Sequence, residues 1–247
     1  MAVDEAIFRN YSVLNRPTLR IYGWDKPFVT IGYNQDKAQV LKPESIIPFV
    51  RRITGGSAIL HYKEITYSLT CSDKDLNFPK SVKESYRYLC SFLKLFYERL
   101  GLKTEFAKDY FPFSCSDYQA LCFSSCLDYD IVHRGRKIGG NAQRRSRNLI
   151  FQQGSIPWVI DYSSLSENFT DLVKFNNKVV SLSDLLPEEK DIFKLQALLA
   201  QSFRENFSVN MVSEVLDRLE VQKRDLLIKE KYSCDRWNNS LKMLSFS

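Results

Sequence analysis

The chain has 247 residues, 44% of them hydrophobic and 26% charged, the make-up of an ordinary globular protein large enough for a full core. A net charge of +6 suits an acidic partner but is too mild and too evenly spread to indicate nucleic acid. No apolar run approaches the ~20 residues of a membrane span, and the acidic start MAVDEAIFRN lacks the apolar core of an export signal, so a cytoplasmic protein away from membranes is expected.

Six cysteines (Cys71, Cys90, Cys115, Cys122, Cys126 and Cys234) are spread along the chain. Without an export signal they are not expected to pair. Cys115, Cys122 and Cys126 cluster, with His133 the nearest histidine, but no C-x-x-C pair is present, so a zinc site is only weakly signalled and no metal is expected.

In chain order, Ala2 to Val13 carries Ala2, Ala6, Ile7 and Val13 at helical spacing, with Asp4 and Glu5 in the first turn, where the helix dipole favours acids. Pro17 to Tyr22 and Phe28 to Gly32 alternate with period two around Gly23 to Pro27, which predicts a hairpin. A helix is predicted near Asp36 to Glu44. Two strand-like pieces then flank a Gly55-Gly56 turn between Phe49 and His61, and Ile65 to Thr70 reads as a further strand.

Val82 to Leu100 is the clearest helix, with Tyr86, Leu89, Leu93, Phe96 and Leu100 on one stripe and Gly101 to end it. Thr104 to Ser125 is aromatic and cysteine-rich without a strict period and reads as loop and short strand. Tyr129 to Val132, Asn148 to Phe151 and Ser155 to Ile160 are strand-like, whereas Ile192 to Phe207 and Val212 to Lys231 read as helices. Strands dominate early and helices late. The expectation is one α+β domain over 1–247, a mixed sheet with helices packed on it and a helical C-terminal part from about 183.

Two stretches carry candidate chemistry. Arg134 to Arg145 sets Lys137 just before Gly139-Gly140, then Asn141 and Ala142. Backbone stripped of Cβ atoms beside an ammonium lets a polarised oxygen approach N–H groups and a cation together. A solvated basic hairpin is the plainer reading. In the second stretch, Arg51 and Arg52 precede Thr54, Gly55, Gly56 and Ser57, and guanidinium with bare amides suits a phosphate or carboxylate. An ordinary turn between basic residues is the alternative. No Gly-Lys-Ser/Thr follows, so this is not a Walker A loop.

The order Arg-Arg-x-Thr-Gly-Gly-x-Ala-x-x-His from Arg51 to His61, then Lys137-Ile138-x-Gly-x-Ala-Gln-x-Arg, then Gln152-Gln153-Gly154-Ser155-Ile156 resembles the lipoate–protein ligase and octanoyltransferase family, whose catalytic fold is shared with biotin ligases. Asp4-Glu5-Ala6, Leu19-Arg20-x-Tyr22-x-Trp24, Ile31-Gly32-Tyr33-x-Gln35 and Lys231-Tyr232-x-x-Asp235-x-Trp237-Asn238 extend the match. His61 to Ser68 is similar to the cysteine-dependent branch, which moves octanoyl groups from acyl carrier protein. Cys122, fifteen residues before Lys137, matches that branch's nucleophile. Ser57, Tyr62 and Gln153 depart from the pattern, which often has glycine or arginine, then aspartate, then histidine.

The resemblance implies an acyltransferase with Cys122 and Lys137 catalytic. Substrate contacts are implied for Arg51, Arg52, Gly55, Gly56, Ser57, His61, Gly139, Gly140, Asn141, Ala142, Gln153 and Gly154. Acyl carrier protein or free lipoate would be the donor, and a lipoyl domain of a 2-oxoacid dehydrogenase E2 or a glycine-cleavage H-like protein the acceptor. No cofactor is implied for transfer. The alternatives are an ATP- and Mg²⁺-dependent lipoate ligase working through lipoyl-AMP, and a non-catalytic binder of acylated proteins. Independently, a thiolate attacks thioesters well and a nearby ammonium lowers a thiol pKa, although an arbitrary cysteine is more often a buried hydrophobe. Phe106, Tyr110, Phe111, Phe113, Tyr118 and Phe123 are candidates to wall an eight-carbon chain, whose burial contributes roughly 0.8 kcal/mol per CH₂.

Overall fold

The computed structural model describes residues 1–110, 128–170 and 178–239. In chain order the elements are α1 (Ala2–Leu14), β1 (Thr18–Tyr22), β2 (Phe28–Ile31), α2 (Lys37–Val40), β3 (Phe49–Arg51), β4 (Ile59–His61), β5 (Glu64–Ser72), α3 (Asp73–Leu76), α4 (Val82–Leu89) and α5 (Ser91–Arg99). They continue with β6 (Glu105–Phe106), α6 (Ala107–Tyr110), β7 (Ile131–His133), β8 (Arg136–Lys137), β9 (Gly140–Ser146), β10 (Leu149–Pro157), α7 (Tyr162–Asn168), α8 (Ile192–Phe207), α9 (Arg218–Leu227), a π turn (Ile228–Tyr232) and α10 (Asp235–Asn239).

The central sheet is antiparallel, in the order β1-β5-β10-β9. Period-two alternation sorts its faces. Ile65, Tyr67, Leu69 and Cys71 of β5 enter the main core with Phe92 and Phe96 of α5 and Leu195, Leu199 and Phe203 of α8. Ser68, between them, points to the other face, where its hydroxyl meets Asp4 of α1 at 2.8 Å. Helices therefore cover both faces. The fold is α+β as expected, but the mixed pairing is confined to a small sheet, β3-β2-β4, in which β2 and β3 run parallel. A third sheet is β6-β7-β8.

Several local expectations are corrected. The predicted hairpin from Pro17 to Gly32 does not form, because β1 pairs with β5 and β2 with β3 and β4. The strands around Gly55-Gly56 flank β2 rather than each other. The long helix breaks at Cys90, which ends α4 and opens α5, while the Ser91 hydroxyl takes the Tyr88 carbonyl. Gly101 does end α5, at φ 77°, with Leu102 N–H closing onto Tyr97 O. The helix predicted from Val212 to Lys231 starts at Arg218, as α9. Asp217 and Glu220 form a capping box there, and Val212 and Val215, 79% and 87% exposed, gain nothing from helical burial. The basic stretch is not one hairpin: β8 pairs with β7, and β9 crosses to pair with β10.

Candidate functional site

The junction between β8 and β9 is built by a tight turn. Arg134 and Gly135, at φ 49° and 76°, fold β7 back onto β8, so Val132 faces Lys137. Lys137 is pinned by its backbone, its N–H on Lys178 O at 2.8 Å and its carbonyl accepting Val180 N–H at 2.9 Å. Its ammonium lies 2.7 Å from Asp130 Oδ2, and the two side chains are only 4% and 1% exposed. Just beyond, a Cβ on Gly139 would sit 2.9 Å from Ser155 O and 3.1 Å from the Tyr97 hydroxyl, so only glycine fits.

Gly140 pairs with Ser155 and Asn141 with Gly154. Gly154 leaves room for the Tyr67 ring, whose hydroxyl donates to Asn141 Oδ1 at 2.7 Å and accepts from Gln152 Nε2 at 2.6 Å. Burial holds the Tyr67 phenol well above its ordinary pKa, so it remains a donor.

A second cluster gathers on the α1 side. Arg52 donates to Thr30 O, Gly55 O, Ser57 O and the Thr54 hydroxyl, which shapes the Thr54–Ser57 loop from within. A Cβ on Gly56 would lie 3.8 Å from the Ala142 Cβ. Gln153 accepts from the Thr54 hydroxyl at 3.2 Å and donates to Asp4 Oδ2 at 3.3 Å. The structure thus brings Arg52, Gly55, Gly56, Ser57, Ala142 and Gln153 together.

Arg51 and His61 are placed differently. The Arg51 guanidinium is fully buried and donates to the carbonyls of Gly32, Tyr33, Gln35, Trp237 and Asn238, tying the end of β2 to α10. Its hydrogen bonds describe a structural clamp. His61 stacks on Trp24 at 4.4 Å and bridges Thr30 Oγ1 at 2.8 Å and Glu64 Oε1 at 2.7 Å. Glu64 also accepts from the hydroxyls of Thr66 and Ser155. The histidine is therefore wired through Glu64 and Ser155 to the strand that pairs with Gly140.

Sequence reasoning passed over Asp130, Asp4, Glu64 and Tyr67 as site residues. No spacing marked Asp130, which lies one residue before the strand leading into the Arg134-Gly135 turn. Cys122, with Cys115 and Cys126, lies outside the described residues, as do Phe111, Phe113, Tyr118 and Phe123. Of the aromatic set that is described, Phe106 is buried in the main core and Tyr110 packs against Gly135.

Asp4 and Glu5 lie beneath this framework. Burial would raise the Asp4 carboxyl. The amino-terminal ammonium, Arg20 and the Ser68 hydroxyl outweigh that and hold it below its ordinary value. Glu5 is likewise lowered, because Lys231, Tyr232 and Arg9 outweigh its burial. A depressed folded pKa gives stability that is present above the unfolded value and lost as pH falls through the folded one. Thermal melts are therefore expected to weaken as pH drops below about 4.5, and Glu5→Gln is expected to flatten that fall. An unchanged slope in the variant would refute it.

Burial pushes the Cys71 and Cys90 thiols far up, out of the reactive range. Alkylation of the native protein should spare both, while the unfolded chain should take up label at all six cysteines. Peptide mapping checks this. Among the described residues no group of three or more His, Cys, Asp or Glu is placed to hold a metal ion, and no helix is long and apolar enough to cross a membrane.

Residues 1–204, which contain both glycine clusters, match the lipoyl protein ligase A/B catalytic domain. The chain belongs to that family. Similar members include the octanoyltransferase LipM of Bacillus cereus, 34% identical over 96% of this chain and 92% of its own length. Another is that of Halalkalibacterium halodurans, 32% identical over 96% and 93%. Among solved structures, lipoate-protein ligase A bound with ATP superposes with a TM-score of 0.80 at 22% identity, covering 97% of this chain and 92% of that one. A bipartite lipoate protein ligase from Thermoplasma acidophilum, studied with its E2 lipoyl domain, gives 0.78 at 21%, covering 100% and 92%. These structures show that the described residues take up the lipoyl protein ligase fold.

Proposed function

We propose that the protein transfers an octanoyl group from an acyl-carrier thioester to a lysine of a lipoyl domain or H-like protein, through an acyl thioester on Cys122. The observation that carries this reading is the 34% identity, nearly end to end, with proteins named octanoyltransferase LipM. The chemistry of the chain supports it. The Cys122 thiol gives up its proton and attacks the thioester carbonyl as the thiolate, the bond to the carrier sulfur breaks, and that sulfur takes up the proton and leaves as a thiol. The acceptor amine then attacks, loses its proton and forms the amide, and the Cys122 thiol is restored. Lys137, with backbone N–H groups near Gly139 and Gly140, stabilises the oxygen that gains charge in both steps. Lipoyl transfer uses the same steps. Neither ATP nor Mg²⁺ takes part, and the net charge of +6 favours an acidic carrier as donor.

The test is intact-mass analysis after exposure to octanoyl carrier protein without ATP. One octanoyl group is expected on the wild type and none on Cys122→Ala. A gain that survives Cys122→Ala overturns the assignment. Modification of an acceptor domain that requires free lipoate and ATP would instead select a ligase. Tight binding of octanoyl carrier with no transfer would select a non-catalytic binder.

A further inference from the structure

We infer that Asp130 is a positioning residue whose carboxylate fixes the Lys137 ammonium at the β8–β9 junction for acyl transfer. The inference rests on the acyl-transfer reading above. Its carriers are geometric. The Asp130 and Lys137 side chains meet at 2.7 Å with almost no solvent exposure. The Arg134-Gly135 turn fixes the register that sets them side by side. Both are held by their backbones: Lys137 against Lys178 and Val180, and Asp130 through its carbonyl, which accepts Ala107 N–H at 2.8 Å.

An ion pair this deeply buried contributes little net stability, because taking two charges out of water offsets their attraction, and apolar residues of similar volume serve as well or better. What the pair does supply is a cation at a fixed place. One N–H of the ammonium on Asp130 leaves the direction of the other two determined, which a lysine on its flexible four-carbon stem lacks by itself. A charge pre-aimed at a developing oxyanion needs no reorganisation as the reaction proceeds.

The experiment follows Cys122 octanoylation by intact mass in a single turnover at saturating octanoyl carrier protein, with carrier affinity measured in parallel by fluorescence anisotropy. Asp130→Asn is expected to slow acylation about 100-fold with affinity held within roughly two-fold. In a Lys137→Met background the same change should slow it no further, because Asp130 acts only through Lys137. The ¹⁵Nζ signal of Lys137 should be resolved in the wild type and shifted or lost in Asp130→Asn, while the amide spectrum is kept.

Wild-type acylation by Asp130→Asn, an unmoved ammonium signal, or an equal further loss in the Lys137→Met background overturns the assignment. If Asp130→Asn fails to fold, Asp130→Glu, which keeps the charge and displaces it by one methylene, carries the same expectation of slow acylation with carrier binding kept. A wild type that octanoyl carrier never acylates overturns the functional reading itself. That failure is told apart from failure of the Asp130 assignment by the ammonium signal, which needs no turnover.

Discussion

Lys137→Met is expected to lower unfolding free energy by about 3–5 kcal/mol, the range for removing one member of a buried ion pair. For a chain of this size that corresponds to a fall in melting temperature of roughly 10 °C. The physical cause lies in what is left behind: the Asp130 side chain is 1% exposed, and methionine takes away its cation without admitting water. The double change Asp130→Asn/Lys137→Met removes both charges and should recover most of the loss, since a buried neutral amide costs far less to desolvate than an unpaired carboxylate. Thermal and urea unfolding of the two variants decide the matter. A single variant that loses less than about 1 kcal/mol, or a double variant no better than the single, would show that the charge of Asp130 is met elsewhere. Acyl transfer should fall to the same low residual rate in both variants, which separates the ammonium's role in the reaction from its role in the fold.

Gly32→Ala is expected to cost about 3 kcal/mol or more, at the upper end for forcing atoms into a packed interior. A Cβ at this position would lie 1.8 Å from Gly56 O and 2.9 Å from Gly56 C, both backbone atoms. The loop carrying Gly56 has little freedom to recede, because Arg52 holds Gly55 O and Ser57 O at 2.7 Å each. Gly56 itself sits at φ 80°, where another residue would be strained. Gly55→Ala provides the contrast, since nothing lies within 4 Å of its added methyl. That variant should stay within about 0.5 kcal/mol of the wild type. Equal stability of the two variants by urea unfolding would contradict the clash.

The elements that sequence located well are those whose apolar residues repeat at their own period. The stripe of α8 gave Ile192–Phe207, and alternation along β5 gave its strand. What periodicity cannot carry is the identity of a strand's neighbour. Gly23 to Pro27 has the composition of a hairpin turn, yet β1 finds its pairing at Thr66 to Thr70, a choice made by the apolar face that Leu19 and Ile21 share with β5.

The site was legible as motifs rather than as roles. Adjacent Arg51 and Arg52 look alike in sequence, but Arg51 closes β3 while Arg52 opens the loop that follows, and their side chains go to opposite sides. One therefore meets the carbonyls near α10 and the other the Thr54–Ser57 loop. His61 looked like a candidate contact, but its ring is engaged on both nitrogens and one face. Asp130 was missed because it is joined to Lys137 by a turn geometry, not by any spacing that a helix or strand period would flag.

The way Glu5 is held has a consequence for biosynthesis. Its carboxylate takes the Lys231 ammonium and the Tyr232 hydroxyl, and β5 must wait for β10 before it is flanked on both edges. A chain emerging from the ribosome therefore exhibits its first helix long before Lys231 and Tyr232 arrive to close around Glu5. Closing contacts between such distant parts of the chain is expected to slow folding. Nascent chains halted short of Lys231 should remain open to protease and to chaperones that seize bare apolar strands.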